Sequence, residues 1–288
     1  MRIPCLFLVL VLTLCMGSLA YATDGYFSHG YGIKAKGMGG ATTAVAQDAM
    51  IAATNPAGMA FVGNRFDIGI DWFSPKRDAV RSGSAAIDGS ADSDSTNFFI
   101  PEIGLNKMLT PNLSIGVTIY GNGGMNTNYP TGQITSAAGK ATCEQFLDMG
   151  GQAHASSYNL LCGTSNLGVD LMQVIIAPTI AYRIHPNHSI GISPLIGYQR
   201  FKAEGLQGFA AYSEDKNNLT NMGYDDSTGY GVRIGWMGKI FDAVTLGAAY
   251  STKMYMTPFH KYRGLFANQG DFDIPENYNV GIAIKILQ

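Results

Sequence analysis

From Arg65 onward the chain alternates apolar with small or polar residues at a period of two, the mark of strands with two unlike faces. In NLSIGVTIYGN, residues Leu113, Ile115, Val117 and Ile119 share one face, and Ser114, Gly116 and Thr118 share the other. RFDIGIDWF sets Phe66, Ile68, Ile70 and Trp72 against Asp67, Gly69 and Asp71, and GYGVRIGWM sets Tyr230, Val232, Ile234 and Trp236 against Gly231, Arg233 and Gly235. In ENYNVGIAIKIL the apolar face is Tyr278, Val280, Ile282, Ile284 and Ile286, opposed by Asn279, Gly281, Ala283 and Lys285. Segments Phe98 to Lys107, Leu171 to Arg183, Ser189 to Phe201 and Ala243 to Met254 bring the set to about eight strands.

The connections alternate as well. LTPN, IHPNH and IFDA are tight turns, whereas Pro75 to Asn97, Gly121 to Asp170, Lys202 to Ser227 and Thr257 to Ile274 are long and polar. A soluble sandwich also alternates along its strands but has no reason to keep short and long connections in strict order, which is the habit of outer-membrane barrels. Strand lengths near the ~9 to 11 residues of a tilted membrane strand agree, as do aromatics at segment ends: Trp72, Phe73, Tyr120, Tyr182, Tyr198 and Tyr255. Pro101, Pro178 and Pro194 interrupt otherwise regular strands, and each predicts a bulge or a locally unpaired edge.

Composition narrows the classes further. The chain carries a net charge of −2, only 14% charged residues and 36 glycines. Outside the first residues no apolar run approaches the ~20 residues of a membrane helix, and no basic stretch tracks phosphates, which excludes nucleic acid as a partner. Met1 and Arg2, the apolar run Leu6 to Met16 and the Ala20-Tyr21-Ala22 signal read as a secretory leader over 1–22, with Thr23 as the mature N-terminus. Cys15 raises a lipoprotein as the rival, but Leu14 stands before it where Gly or Ala is wanted. In the mature chain only Cys143 and Cys162 remain, and in an oxidising compartment they are expected to form a disulfide.

Residues 23–64 precede the first strand, lack alternation, and are too apolar and Gly-rich for an ordinary disordered tail. Small residues and glycines suit a compact plug packed closely against a barrel wall. An Asn55-Pro56-Ala57 turn closes this stretch, and the asparagine side chain is expected to bond local backbone.

The stretch GYGIKAKGMGGATTAVAQDAMIAATNPAGMA resembles the N-terminal hatch of the outer-membrane hydrophobic-compound transporters, the family typified by the long-chain fatty acid transporter and the toluene/xylene uptake channels. Gly37, Gly39, Gly40, Asp48, Asn55, Pro56 and Ala57 carry the likeness, and GDFDIPENYNVGIAIKI is similar to the family's acidic, Pro-led approach to a later strand. The resemblance implies an all-β transmembrane antiparallel barrel of about fourteen strands, with a hatch at 23–64 and wall at 65–288. It implies a monomer in the Gram-negative outer membrane, inserted by the barrel assembly machinery into outer-membrane lipid, without cofactor or metal. Its cargo is a hydrophobic small molecule, a long-chain fatty acid or an aromatic hydrocarbon, and a passive porin or structural barrel is the alternative.

The family's capture groove lies between the loops after strands five and seven, here EGLQGFAAYSED and TPFHKYRGLFANQG. Leu206, Phe209, Tyr212, Phe259, Tyr262, Leu265 and Phe266 are the apolar side chains there, and Lys202, Lys261 and Arg263 are three candidates for a carboxylate-binding cation. Lateral release at a kinked third strand would fall at Gly121, Gly123 and Gly124, where glycines mark either a bend or the onset of a loop. No G-x-S-x-G or dinucleotide fingerprint supports an enzyme; DGSADSDS departs from a calcium loop, and the histidines lack metal-site spacing. One conflict stands. An eight-stranded barrel fills its interior with its own side chains and leaves no room for a plug of about forty residues, so the expectation is a wall incomplete on its C-terminal side, curved around the hatch.

Overall fold

The computed structural model describes residues 27–285. The leader and the mature N-terminus at Thr23 lie outside the described residues, as does the end of the last predicted strand from Ile286 onward.

Eight long strands form one antiparallel sheet, in the order β1 (Arg65–Phe73), β4 (Phe98–Met108), β5 (Leu113–Tyr129), β6 (Leu167–His185), β7 (His188–Glu204), β8 (Asp225–Phe241), β9 (Val244–Ser251) and β11 (Asn277–Ile284). The short β10 (Tyr255–Met256) joins the edge of β8, and β2 (Asp78–Arg81) and β3 (Gly89–Asp92) make a separate hairpin in the first long loop. Among the described residues β1 and β11 do not pair with each other, so the wall is a curled, open half-barrel. Inside it sits the segment before β1: the helix α1 (Ile33–Gly37) and two 3-10 turns, Ala49–Ala53 and Pro56–Phe61.

The period-two pattern explains which way the wall faces. Phe66, Ile68, Ile70, Ile180, Ile192, Ile234, Val280 and Ile282 are all exposed on the convex side, while their small or polar neighbours, such as Ser114, Thr118, Ser189, Ser193 and Ala249, are buried on the concave side. The same phase corrects one expectation. Tyr120 belongs with Ser114 and Thr118, not with Ile119, and it is 0% exposed in the interior instead of sitting in an outer aromatic girdle.

Several strands outrun their sequence limits. β5 extends nine residues into what reads as the loop Gly121 to Asp170, because its backbone ladder continues there through residues too small or too polar to show alternation, and β6 begins four residues early at Leu167. Gly121 and Gly123 are not a loop onset: the β5–β6 register shifts between them, leaving Asn122 as the extra residue of a bulge. On its other edge β5 pairs with β4 only as far as Ile119 opposite Ile103, so the ladder ends just before Pro101 and Gly121. Pro101 is in plain register opposite Ile70 on the β1 side and lies outside the β4–β5 ladder.

Pro178 and Pro194 share one break. Pairing of β6 with β7 runs to Ile176 opposite Ile196 and resumes at Ile180 opposite Ile192 in the same register, so the two prolines face each other across an unpaired step. Each lacks the N–H that the other's carbonyl would accept. On the concave side Thr179 Oγ1 and Ser193 Oγ bridge the step at 2.7 Å.

At the long-loop end, helix α2 (Ala137–Gly150) is capped by Ser136, whose side chain accepts from Gly139 N, and stops at Gly151 in the left-handed conformation (φ 64°). It packs Cys143 and Leu147 against Ile87, Ile134, Tyr158 and Cys162. Cys143 and Cys162 are joined in a disulfide across a sequence separation of 19. Asp88, within the calcium-like stretch, accepts from the backbone N–H groups of Gly83 and Ser84. Closing a loop of this size stabilises by about 3 kcal/mol in the chain-entropy account. Cys143→Ser with Cys162→Ser should therefore lower the loop assembly's unfolding free energy by about that amount while leaving the wall's far-UV signal unchanged, which denaturant titration with a probe on α2 will check.

Candidate ligand path and hatch

The concave face is layered from the tight-turn end to the long-loop end. At the turn end the hatch docks. Asn55 is completely buried: its Oδ1 accepts from Ala57 N at 3.1 Å, capping the Pro56–Phe61 turn, while its Nδ2 donates to Thr43 O at 2.8 Å and to Trp236 O at 3.0 Å. One side chain thus ties the turn to itself, to the earlier hatch and to the wall. Asp48 does a simpler job, accepting from Met50 N at 3.1 Å to start the Ala49–Ala53 turn. Its carboxyl is pushed above the ordinary range, first by burial and then by Asp67.

Wall side chains reach the hatch backbone wherever a carbonyl would otherwise be stranded. Ser189 Oγ donates to Ala57 O (2.8 Å), Asn106 Nδ2 to Met59 O (2.9 Å), Arg183 Nε to Ala60 O (2.9 Å) and Arg233 Nη1 to Ala52 O (3.1 Å). Close approach is possible because the wall is floored with glycine. A Cβ on Gly191 would lie 2.5 Å from Pro56 C, one on Gly235 2.1 Å from Asn55 Oδ1, and one on Gly247 2.1 Å from Thr43 O. Pro56 and Ala57 therefore occupy volume that side chains would fill. Of the hatch glycines, Gly39 and Gly40 have φ of 61° and 82°, whereas Gly37 ends α1 with nothing within 4 Å of its Cβ position. Lys36 beside it pairs with Asp71 (2.6 Å) and Glu102 (3.2 Å) of the wall.

Above the hatch lies a mainly apolar layer. Tyr31 and Tyr120 meet with ring centroids 4.4 Å apart among Met50, Ile175, Leu195 and Met254. Burial, and then Tyr120, push the Tyr31 phenol well above the ordinary tyrosine range, so it stays a neutral donor. A cavity of about 100 Å³ adjoins this layer, lined by Tyr31, Asn122, Ile175, Leu195, Arg233 and Met254 among others. A belt of amides begins at its wall. Asn122, swung inward by the bulge, is within hydrogen-bond reach of the Tyr31 hydroxyl (3.3 Å) and donates to Gln173 (3.2 Å); Gln173 donates to Gln199 (2.8 Å), and Gln199 to Ser227 Oγ (3.3 Å) and Phe272 O (2.8 Å).

The loop-end layer is aromatic. Phe201 meets Phe259 at a tilt and Tyr262 and Phe266 edge-on, at centroid distances of 5.5, 4.9 and 4.8 Å, with Leu171 and Ala203 beneath and Leu206, Leu265 and Phe272 packed around. Five of the seven capture candidates thus converge on one cluster that also includes a strand residue, Phe201. Phe209 (43% exposed) and Tyr212 (73% exposed) stand apart, on the 3-10 turn Gln207–Tyr212 beside α2. All three candidate cations are engaged: Lys202 with Glu204 (3.0 Å), Arg263 with Asp215 (2.5 Å), and Lys261 through Nζ to Tyr224 O (2.6 Å).

The Arg263–Asp215 clasp joins the two candidate capture loops and titrates. Arg263 holds the Asp215 carboxyl below the ordinary carboxylate range. A carboxyl depressed on folding stabilises above its ordinary pKa and loses that contribution as pH falls through the depressed value. Amide exchange at 213–218 is expected to rise only below the ordinary carboxylate range, and Arg263→Ala should move that rise to higher pH.

Sequence reasoning did not single out Tyr31, Asn122, Gln173, Gln199 or Arg233. The available signal was polarity on the concave phase: Arg233 stands between Gly231 and Gly235, where a wall that faced only its own core would have no use for a cation.

No family model matches the chain, and no curated protein matches it. Solved structures do. The Pseudomonas putida toluene transporter TodX superposes with a TM-score of 0.66 at 18% identity, over 92% of this chain and 69% of that one. The Ralstonia pickettii toluene transporter TbuX gives 0.62 at 17%, over 90% and 69%, and the CymD monoaromatic hydrocarbon channel 0.54 at 16%, over 88% and 64%. The chain has the fold of these proteins over about two thirds of their length.

Proposed function

We propose that this chain, folded like the toluene transporters, forms an outer-membrane passage for uncharged apolar molecules, with monoaromatic hydrocarbons as its cargo and no catalytic step. The observation that carries this reading is the loop-end aromatic cluster lying above a plugged interior, with Arg263 held by Asp215, Lys261 on a backbone carbonyl and Lys202 on the opposite face of the sheet. A fatty acid carboxylate would compete with Asp215 for Arg263 or share the Lys261 ammonium with a carbonyl, whereas toluene asks for nothing but apolar surface. Size points the same way. Benzene fills an apolar cavity of about 150 Å³, so the inner cavity of about 100 Å³ needs little widening for one ring and a great deal for a long acyl chain.

A ring captured by the aromatic cluster passes the amide belt to the Tyr31–Tyr120 layer. The hatch blocks the axial route, and release is lateral, between β4 and β5, where the ladder ends beside Pro101, Gly121 and Gly123. A lateral exit delivers an apolar molecule into the bilayer without returning it to water. Uptake of labelled toluene and labelled oleate by cells expressing the chain will test this. Toluene flux above background with oleate at background is expected; unchanged fluxes of both together with leakage of small sugars would establish a passive pore instead.

A further inference from the structure

On the convex face of the wall, at the long-loop end, the apolar band stops abruptly. The outward phase of β6 reads Tyr182, Ile180, Pro178, Ile176, Val174 and Met172, and its next member is Asp170. Ten residues of strand at ~3.4 Å each, tilted by about 40°, span roughly 25 Å, the height of a barrel's lipid-facing band. Asp170 therefore lies just beyond hydrocarbon, at the level of lipid headgroups, if the long loops face outward as the channel reading has it.

There the sheet has a pit. Asn126, Asp170 and Lys202 stand opposite one another on three successive strands, and the next row is Asn128, Gly168 and Glu204. A cavity of about 240 Å³ lies here, lined by Ser95, Asn126, Asn128, Asp170, Lys202 and Glu204 among others. Asp170 Oδ2 accepts from the Tyr224 hydroxyl at 2.6 Å, but its Oδ1 is buried with no hydrogen-bond partner. A buried acceptor left unmade is costly, and Asp170 is one of the residues that line this cavity. The lining has two carboxylates and one ammonium, with the Arg77 guanidinium on Asn126 O and Ser95 O beside it, so a phosphate would meet no excess of positive charge. Planar amides and carboxylates with one ammonium are, by contrast, the donor and acceptor set that hydroxyl groups satisfy.

We infer that this pit is a binding site for the sugar portion of an outer-leaflet glycolipid, separate from the hydrocarbon path on the concave side. It rests on the outer-membrane reading for its depth but not on what the interior transports. The test is a titration of purified, detergent-solubilised protein with deacylated lipopolysaccharide core oligosaccharide, and with inorganic phosphate as competitor. Saturable binding is expected, weakened at least tenfold by Asp170→Asn and by Glu204→Gln, with inorganic phosphate failing to displace it. Absence of saturable binding, equal affinity in both variants, or displacement by phosphate alone would each overturn the assignment. Toluene uptake measured on the same variants separates the two readings: the channel proposal fails there without touching the titration, and the sugar site fails in the titration without touching uptake.

Discussion

Replacing Gly191 and Gly235 together by alanine will unseat the hatch and leave the wall standing. Each new methyl meets atoms that cannot step aside: the Pro56 carbonyl carbon and Ala57 N at 2.5 and 2.6 Å for Gly191, and Asn55 Oδ1 and Pro56 Cδ at 2.1 and 2.8 Å for Gly235. Overpacking of this kind costs roughly 1–3 kcal/mol per site when the neighbours can shift and more when they are backbone. The wall loses no hydrogen bond, since both glycines keep ordinary strand pairing to each other. Limited proteolysis should then cut within 36–60 while far-UV dichroism holds, and channels should leak small polar solutes. Gly69→Ala is the matched control, because its Cβ would find only Glu102 Oε2 at an ordinary 3.7 Å. Protection of 36–60 equal to that of the unaltered chain would show that the hatch is not held by contact with these strands.

Asn55→Ala should be nearly as damaging although it removes volume. It deletes a cap worth about 1 kcal/mol and leaves Thr43 O and Trp236 O without the donor that serves them, at about 1–3 kcal/mol per orphaned group. A loss of roughly 3–7 kcal/mol in hatch docking is expected, read as faster amide exchange over residues 43–60 and as toluene uptake that falls further than the amount of assembled barrel. Asn55→Asp sharpens the test. It keeps the oxygen that caps Ala57 but turns the donating group toward two carbonyls as an acceptor, so it should resemble Asn55→Ala. Full recovery with Asp would assign the residue's importance to the cap alone, and equal loss of uptake and assembly would make it purely structural.

The wall was legible because its two faces have unlike solvents, and period-two alternation records that difference at every step. RFDIGIDWF coincides with β1 residue for residue. Legibility failed where the alternation had nothing to report. The loop-end half of β5 carries Gly, Asn and Thr on both faces, and so it reads as loop, while the first four residues of β6 are too few to show a period. The site was harder for a different reason. Asn55 and the small residues around it announce a tight turn, but its partners Trp236 and Thr43 are 181 and 12 residues away, and separation in sequence hides them. The amide belt was invisible for the same cause: Asn122, Gln173, Gln199 and Ser227 come from four strands and become a unit only when the register is known.

The two facing prolines give the wall a crease. Their missing donors fall on one step of one ladder, and the neighbouring ladders run on undisturbed, with Val117 opposite Pro178 and Pro194 opposite Val232. The ladder is paired on either side of this one step, so the step is a local soft point between two leaves of the sheet, β1 to β6 and β7 to β11. The hatch is fastened to both, through Asn106 and Arg183 on one leaf and Ser189 and Arg233 on the other. A change in the angle between the leaves therefore becomes a change in the grip on the hatch, with the hydroxyls of Thr179 and Ser193 as the latch across the fold line.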